Sequence, residues 1–205
     1  MAKLDLKKQM KALYDAPKEP VLVQVPKLQY IMIDGEGNPN TSEEFKAAVQ
    51  ALFSTSYTLK FSLKKAGQDG DYAVMPLQGL WWTEDMAEFS VLNKDVWKWT
   101  LMILQPDHIT EELFKQAVDE VERKKKIASA RRLRFETFEE GLCAQIMHLG
   151  PYSAEEPTIE KLHKFIDESG YELSGKHHEI YLKDFTKCAP EKLKTIIRQP
   201  VKKLK

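Results

Sequence analysis

The chain has no net charge of either sign: 31 Lys and Arg balance 31 Asp and Glu, and the isoelectric point is near 7.0. That balance removes the basic footprint by which nucleic-acid binders neutralise phosphates, so no direct nucleic-acid partner is expected. No apolar run approaches the roughly 20 residues needed to span a bilayer. No charged-then-apolar leader opens the chain either, so no membrane association and a cytoplasmic location are expected. Cysteine is scarce: Cys143 and Cys188 are expected to remain thiols, with Cys143 a small buried hydrophobe.

Several chemical signatures are also missing. There is no Gly-x-Ser-x-Gly elbow. Gly35 and Gly37 form a bare pair followed by Pro39, which does not support dinucleotide binding. The run Gly170 to His177 nearly spells a phosphate loop, yet histidine replaces the hydroxyl residue and the segment runs from helix to strand, the reverse of a phosphate cradle. His177 and Glu179 lack a third ligand at a recognised spacing, so no metal and no cofactor are expected.

What is present is a chain of 205 residues, 42% hydrophobic and 30% charged, able to bury a real core. Leu6, Met10 and Leu13 predict a short amphipathic helix within residues 3–14. Pro17, Pro20 and Pro26 then punctuate a linker around the extended run Val21 to Val25, so residues 1–27 are read as helix and linker. Leu28 to Gly35 predicts a strand. Thr41 and Glu44 have the form of a capping box, ahead of a helix with Phe45, Ala48, Val49, Leu52 and Phe53 on one face. After a loop at Gly67 to Asp71 come two β patterns, Tyr72 to Trp82 and Trp97 to Leu104, the second stopped by Gln105-Pro106.

The order strand, helix, strand, strand recurs. Leu142 to Leu149 is a strand ended by Gly150, and Pro157 opens a helix with Ile159, Leu162, Phe165 and Ile166 on one face, closed by Gly170. A strand around Glu179 follows, then a last one from Leu193 to Arg198 that ends in Gln199-Pro200. This predicts an internal duplication, with modules at about 28–106 and 131–203 within one domain of residues 28–205. A helix at about 110–126 joins them, its acids at the start and Arg123 to Lys126 at the end complementing the helix dipole. Arg131, Arg132 and Arg134 carry that basic run into the next strand, and Lys202, Lys203 and Lys205 read as a solvated tail.

The stretch Gly175 to Asp184 is a short strand entered from a glycine turn. Alternation places His177, Glu179, Tyr181 and Lys183 on one face and His178, Ile180 and Leu182 on the other. On a wet face Glu179 is a solvated strand residue; lining a pocket, it is a desolvated acid.

Four runs together resemble the GyrI-like small-molecule-binding family in its stand-alone two-tryptophan branch. They are Tyr72 to Trp82, Trp97 to Pro106, Gly150 to Ser153 with Pro157 to Ile159, and His178 to Leu182. The resemblance covers the chain from about residue 20 onward. It implies an α+β fold of duplicated βαββ modules with pseudo-two-fold symmetry, an antiparallel sheet with a concave ligand groove, and helices on the opposite face. It also implies kinship with effector-binding domains of multidrug-responsive transcription regulators, although the leader here is too short for their helix-turn-helix domain.

Stand-alone relatives are assigned hydrolysis of cyclopropanoid DNA-alkylating natural products, and the resemblance implies that activity, for cellular protection, with a flat aromatic or polycyclic small molecule as partner. The rival is a non-catalytic effector-binding or drug-sequestering protein. A hydrolase groove needs aromatic walls, a base for water and a donor for the developing oxyanion. Trp81, Trp82, Trp97 and Trp99 supply candidate walls, with one or two of them expected to be ordinary core. Family motif matching makes Glu179 the groove glutamate and candidate base, its pKa expected to be raised by an apolar setting. Tyr72, Tyr152 or Tyr181 is the donor, Glu155 or Glu156 a second acid, and His177 a neighbour on the Glu179 face. Gln78 stands where an acid is often expected, weakening any charge-pair reading there.

Overall fold

The computed structural model describes residues 3–65, 70–84, 93–184 and 186–204. The chain opens with two single-turn helices, α1 (Leu6–Gln9) and α2 (Lys11–Tyr14), in place of one longer helix. Met10 breaks them apart at φ −104° and ψ 46°, and Leu6, Leu13 and Tyr14 are buried against the body.

Strand β1 (Val21–Glu36) runs for sixteen residues and ends at Gly37 in a left-handed turn. The expected linker segment 21–25 is therefore sheet, because Val21 to Val25 ladder with Gly141 to Gln145 despite Pro26. Helix α3 (Glu43–Lys65) follows. Its cap is Ser42 and not the expected Thr41, since Ser42 Oγ accepts the Phe45 amide at 3.2 Å while the Thr41 amide turns back to Asn38.

Of the expected Gly67 to Asp71 loop, residues 67–69 lie outside the described residues. The pattern at 72–82 yields a shorter strand, β2 (Gln78–Trp82). The stretch before it runs as coil under α3, where Lys60 donates to the Tyr72 carbonyl and to Asp71. Then come β3 (Lys98–Leu104) and α4 (Glu111–Lys125), capped by Thr110 and closed by left-handed Lys126.

The second half supplies β4 (Arg134–Leu149), α5 (Glu156–Glu168), β5 (Tyr171–Leu173), β6 (His177–Tyr181) and β7 (Lys194–Lys203). Two differences from the sequence expectations stand out. The last strand runs through Gln199-Pro200, because beyond Pro200 it leaves β4 and ladders with β5, a strand the periodicity did not announce. Lys202 and Lys203 are consequently strand residues, Lys202 pairing with Glu172, while Lys205 lies outside the described residues. The arginines after α4 are each taken up by carboxylates: Arg131 by Asp119 and Glu122, Arg132 by Glu44, and Arg134 by Asp34 and Glu136. Cys143 and Cys188 are free thiols, and no described helix is long and apolar enough to cross a membrane.

The architecture is α+β. The strands pair antiparallel in the order β4-β1-β3-β2-β6-β7-β5, and β4 also pairs with β7, curving the sheet into a barrel. Read around the ring, β1-β3-β2 is followed by β6-β7-β4, and the two sets of strands meet at the β2–β6 seam. Helices α3 and α5 pack on the outer face: Phe45 of α3 sets its ring edge against Trp99, and Leu162 and Ile166 of α5 share a core cluster with Ile146 and Ile197.

The inside holds charge. Arg198 donates to Gln145 at 3.0 Å, to the Leu13 carbonyl at 2.7 Å and to Glu140 at 3.4 Å. His178 Nδ1 donates to Glu140 at 2.8 Å, and its Nε2 lies 3.0 Å from the Gln78 amide group, which also meets the Tyr14 hydroxyl. Gly141, at φ +77°, shifts the phase of alternation in β4, so that Glu140 before it and Gln145 after it both reach Arg198. Burial pulls the Glu140 pKa up, but His178 and Arg198 outweigh it and hold the carboxyl below its ordinary value.

Removing the cation alone should therefore be costly. Arg198→Met leaves Glu140 buried with only His178 for company, and a loss of about 3–5 kcal/mol is expected, read as a lowered urea midpoint. A midpoint within error of the parent's would mean that the guanidinium does not hold the barrel together.

Candidate functional site

Strand β6 carries two faces with different tasks. His178 points into the barrel, while Glu179 points out, opposite Gly79 of β2 across the seam. A cavity of about 560 Å³, counting its open mouth, lies over that seam. Helices flank it instead of lying wholly behind it: Phe45 from α3 lines one side, and Tyr152 and Glu155 from the turn before α5 line the other.

Glu179 is 6% exposed and held from two sides. Tyr181 donates its hydroxyl to Oε2 at 2.8 Å, and His177 Nε2 lies 3.3 Å from Oε1. These three residues are two apart on one strand, so the period of β structure delivers both donors to the acid between them. The Tyr181 oxygen in turn accepts the Trp81 indole N–H at 3.1 Å. Trp81 lies back across its own strand because Gly79 has no Cβ; one built there would stand 2.7 Å from the indole nitrogen. Trp97 meets Trp81 with ring centroids 5.1 Å apart, and Phe45 stacks on Trp81 at 6.0 Å. Tyr152 sets its edge to Tyr181 at 5.6 Å.

Glu155 is the second acid. It is 3% exposed, and its Oε1 finds no hydrogen-bond partner among the described residues. The Thr195 hydroxyl beside it favours the charged form, but the two fall short of a hydrogen bond. Burial, reinforced by the Glu179 charge, pushes the Glu155 carboxyl far above the carboxylate range. Burial also acts on Glu179, but the bonds from His177 and Tyr181 and the nearby Lys94 outweigh it and hold Glu179 below its ordinary value. The sequence-based expectation of a raised Glu179 pKa is thus reversed, and the raised group is Glu155. Two desolvated acids in one cavity share one proton, and the proton sits on the acid with fewer donors.

The candidate residues divide as follows. Glu179, Tyr181, Tyr152, Glu155, Trp81 and Trp97 come together around the cavity, with His177 behind Glu179. Trp99 is fully buried, packed edge-on to Phe45 beneath the cavity. Trp82 falls on the other face of β2 from Trp81, where the Lys176 ammonium sits 3.2 Å from its ring centroid. Glu156 begins α5 and is exposed. Tyr72 is buried elsewhere, bonded through its hydroxyl to Gln105 and the Ser56 carbonyl, since its segment is coil beneath α3 and not part of the seam. Phe45 and Lys94 are site residues beyond the sequence-based candidates: helical spacing marks Phe45 only as part of an apolar face, and no periodic signal marks Lys94, whose ammonium lies 5.0 Å from the Trp97 ring centroid.

Residues 18–202 match the family described as the GyrI-like small molecule binding domain. The crystal structure of an uncharacterized conserved protein from Listeria innocua is similar, with TM-score 0.91 and 39% identity over 98% of this chain and 100% of that one. A structure described as a hydrolase from Listeria innocua matches with TM-score 0.85 and 38% identity, again over 98% of this chain and 100% of that one. The C-terminal domain of EcmrR shares the fold, with TM-score 0.56 and 12% identity over 91% of this chain and 98% of that one. No curated protein matches the chain.

The acid pair has a consequence for stability. Glu155 titrates higher folded than unfolded, so its contribution is full below the unfolded value of about 4.3 and is lost as pH rises towards the folded value. Glu155→Gln removes that dependence. It should gain on the order of 1–3 kcal/mol over the parent at about pH 8 and almost nothing at about pH 4, measured by chemical denaturation at both. An equal difference at the two pH values would place the titrating group elsewhere.

Proposed function

The chain belongs to the GyrI-like small-molecule-binding family, and from that premise we propose that it binds flat aromatic molecules over the β2–β6 seam and hydrolyses cyclopropanoid alkylators there. The observation that carries this reading is the pair of buried acids inside aromatic walls, one held ionised by its hydrogen-bond donors and the other held protonated by burial. Pairs driven apart in this way mark the base and the acid of proton-transfer chemistry. The 38% identity to a protein described as a hydrolase supports the reaction class.

The chemistry is an addition of water to a strained ring conjugated with a carbonyl. The water oxygen bonds to the unsubstituted ring carbon, and the ring C–C bond to the conjugated carbon breaks. Its electron pair moves through the conjugated system onto the carbonyl oxygen. Glu179, ionised at neutral pH, takes the water proton. Glu155, still protonated, delivers its proton to the new oxyanion, so that one water is added and no oxidant or reductant is consumed. Tyr181 and His177 hold the Glu179 carboxylate in place, and Trp81 and Trp97 line the apolar wall against which a polycycle packs.

A second reading has its own support. The Lys94 ammonium already occupies a cation–π position on Trp97, near both acids, so the same wall with the Glu179 charge suits a cationic aromatic ligand that is bound and not turned over.

Incubation with a cyclopropane-containing alkylator, followed by mass spectrometry of the ring-opened product, separates the two. Glu179→Gln and Glu155→Gln are each expected to lower turnover by about 10²- to 10⁴-fold while the neutral polycycle still binds. Activity should be flat through neutrality. It falls in acid as Glu179 is protonated below the ordinary carboxylate range, and in alkali as Glu155 loses its proton. Parent-like turnover in Glu179→Gln would remove the glutamate mechanism. No turnover in the parent, with cation affinity lost in Glu179→Gln, would favour the binding protein.

A further inference from the structure

Lys94 is the one Lys or Arg among the described residues that line the Glu179 cavity, and the backbone puts it there. Residues 94–97 form a tight turn ahead of β3, closed by the Trp97 amide, which donates to the Lys94 carbonyl at 3.3 Å. Two bonds tie this turn to the end of β1: the Gly37 amide donates to the Trp97 carbonyl at 2.7 Å, and the Asn38 side-chain amide donates to Asp95 at 3.0 Å. The first and fourth residues of such a turn lie close together. The Lys94 ammonium accordingly rests 5.0 Å from the Trp97 ring centroid, on an indole that Trp81 also packs against and that is only 2% exposed.

The indoles around the seam are already engaged. Trp99 is buried against Phe45, Trp82 carries the Lys176 ammonium, Trp81 lies between Phe45 and Trp97, and Trp97 carries Lys94. A cation seeking a ring face here must displace a cation already seated. The charges of the cavity point the same way. With Glu155 protonated and Glu179 ionised, one carboxylate faces one ammonium, so the lining is electroneutral at neutral pH. Both carboxyls feel the Lys94 charge, which lies within electrostatic reach of each. A neutral ring system enters without upsetting that balance. A cationic one meets a like charge between walls that screen poorly.

We propose that Lys94 is the specificity-determining residue of this cavity, a charge filter that admits neutral aromatic rings and rejects cationic ones of the same shape. Without its ammonium, Glu179 alone would set the sign of the local field, the Trp97 face would be open, and the same walls would favour a cation. The filter rests on the reading of the Glu179 cavity as the ligand site, and it decides which of two ligand charges that site takes.

Calorimetry with 1-methylnaphthalene and 1-methylquinolinium, two ring systems of one shape that differ by a single positive charge, tests the assignment on the full chain. The parent should bind the neutral probe at least about tenfold tighter than the cation. Lys94→Met keeps the length of the side chain without its charge. It should raise quinolinium affinity about tenfold or more and leave naphthalene affinity within about threefold. Lys94→Gln, which also removes the charge, should give the same shift, whereas Lys94→Arg keeps the charge and should keep the parent's ratio. A ratio that Lys94→Met and Lys94→Gln leave untouched, with naphthalene still bound, overturns the filter and leaves the cavity reading standing. A parent that binds quinolinium as tightly as naphthalene also overturns the filter, in favour of a cation-binding protein. Binding of neither probe to the parent removes the cavity as a ligand site and the filter with it.

Discussion

Arg198 carries a full charge to a place where only 1% of its surface meets water, and much of the architecture answers to it. A buried guanidinium presents five donors and tolerates no vacancy among them without cost. Its partners come from two distant parts of the chain: Gln145 and Glu140 on β4, and the Leu13 carbonyl at the end of α2. Satisfying one side chain therefore draws β4 against β7, which closes the barrel, and seats the N-terminal helices against it. The bend at Gly141 belongs to the same requirement, since a strand of constant phase would turn either Glu140 or Gln145 away from the guanidinium.

The network and the site meet on adjacent residues. His178 is bonded inward to Glu140, which fixes the rotation of β6 about its axis, and Glu179 must then face outward. Strand period places His177 and Tyr181 beside Glu179 and leaves Glu155, which arrives from the turn before α5, without an equivalent pair of donors. Electrostatics completes the division: a second charge in a dry cavity is expensive, so the better-bonded carboxylate keeps its charge and the other keeps its proton. The acid and the base differ in surroundings, not in chemistry.

Local features of the fold were legible in the sequence where short-range rules govern them. The acidic start and basic end of the joining helix, the Pro157 helix start, the Gly170 stop and the shared face of His177, Glu179 and Tyr181 all follow from spacing within a few residues. What escaped depends on closure. Proline reads as punctuation, yet Pro26 and Pro200 lie inside long strands whose neighbours carry the ladders past them. Glu140 and His178 are 38 residues apart, and nothing local connects them. Tyr72 shares a β-like run with Trp81, but the run becomes sheet only at Gln78, so the tyrosine is anchored under α3. Alternation separates Trp81 from Trp82 in the sequence, but only the closed barrel says which side is the cavity.

Glycine explains why the tryptophans of two neighbouring strands end in different roles. Gly35 of β1 stands opposite Trp99 of β3, and a Cβ there would come within 2.1 Å of the indole ring, so the glycine makes the bed in which Trp99 lies fully buried. Gly79 does the same for Trp81 with a different result. The indole reclines along β2 instead of rising from it, and its N–H is aimed at the Tyr181 hydroxyl while its face stays in the cavity wall. That bond leaves the hydroxyl proton of Tyr181 to point at Glu179, because the oxygen lone pair is engaged on the other side. The direction of the hydrogen-bond chain, from indole to phenol to carboxylate, thus begins with a residue that contributes no side chain at all. A site read only from its side chains would omit Gly79, although without that glycine the indole could not lie where it does and the carboxylate would lose the oriented donor that keeps it ionised.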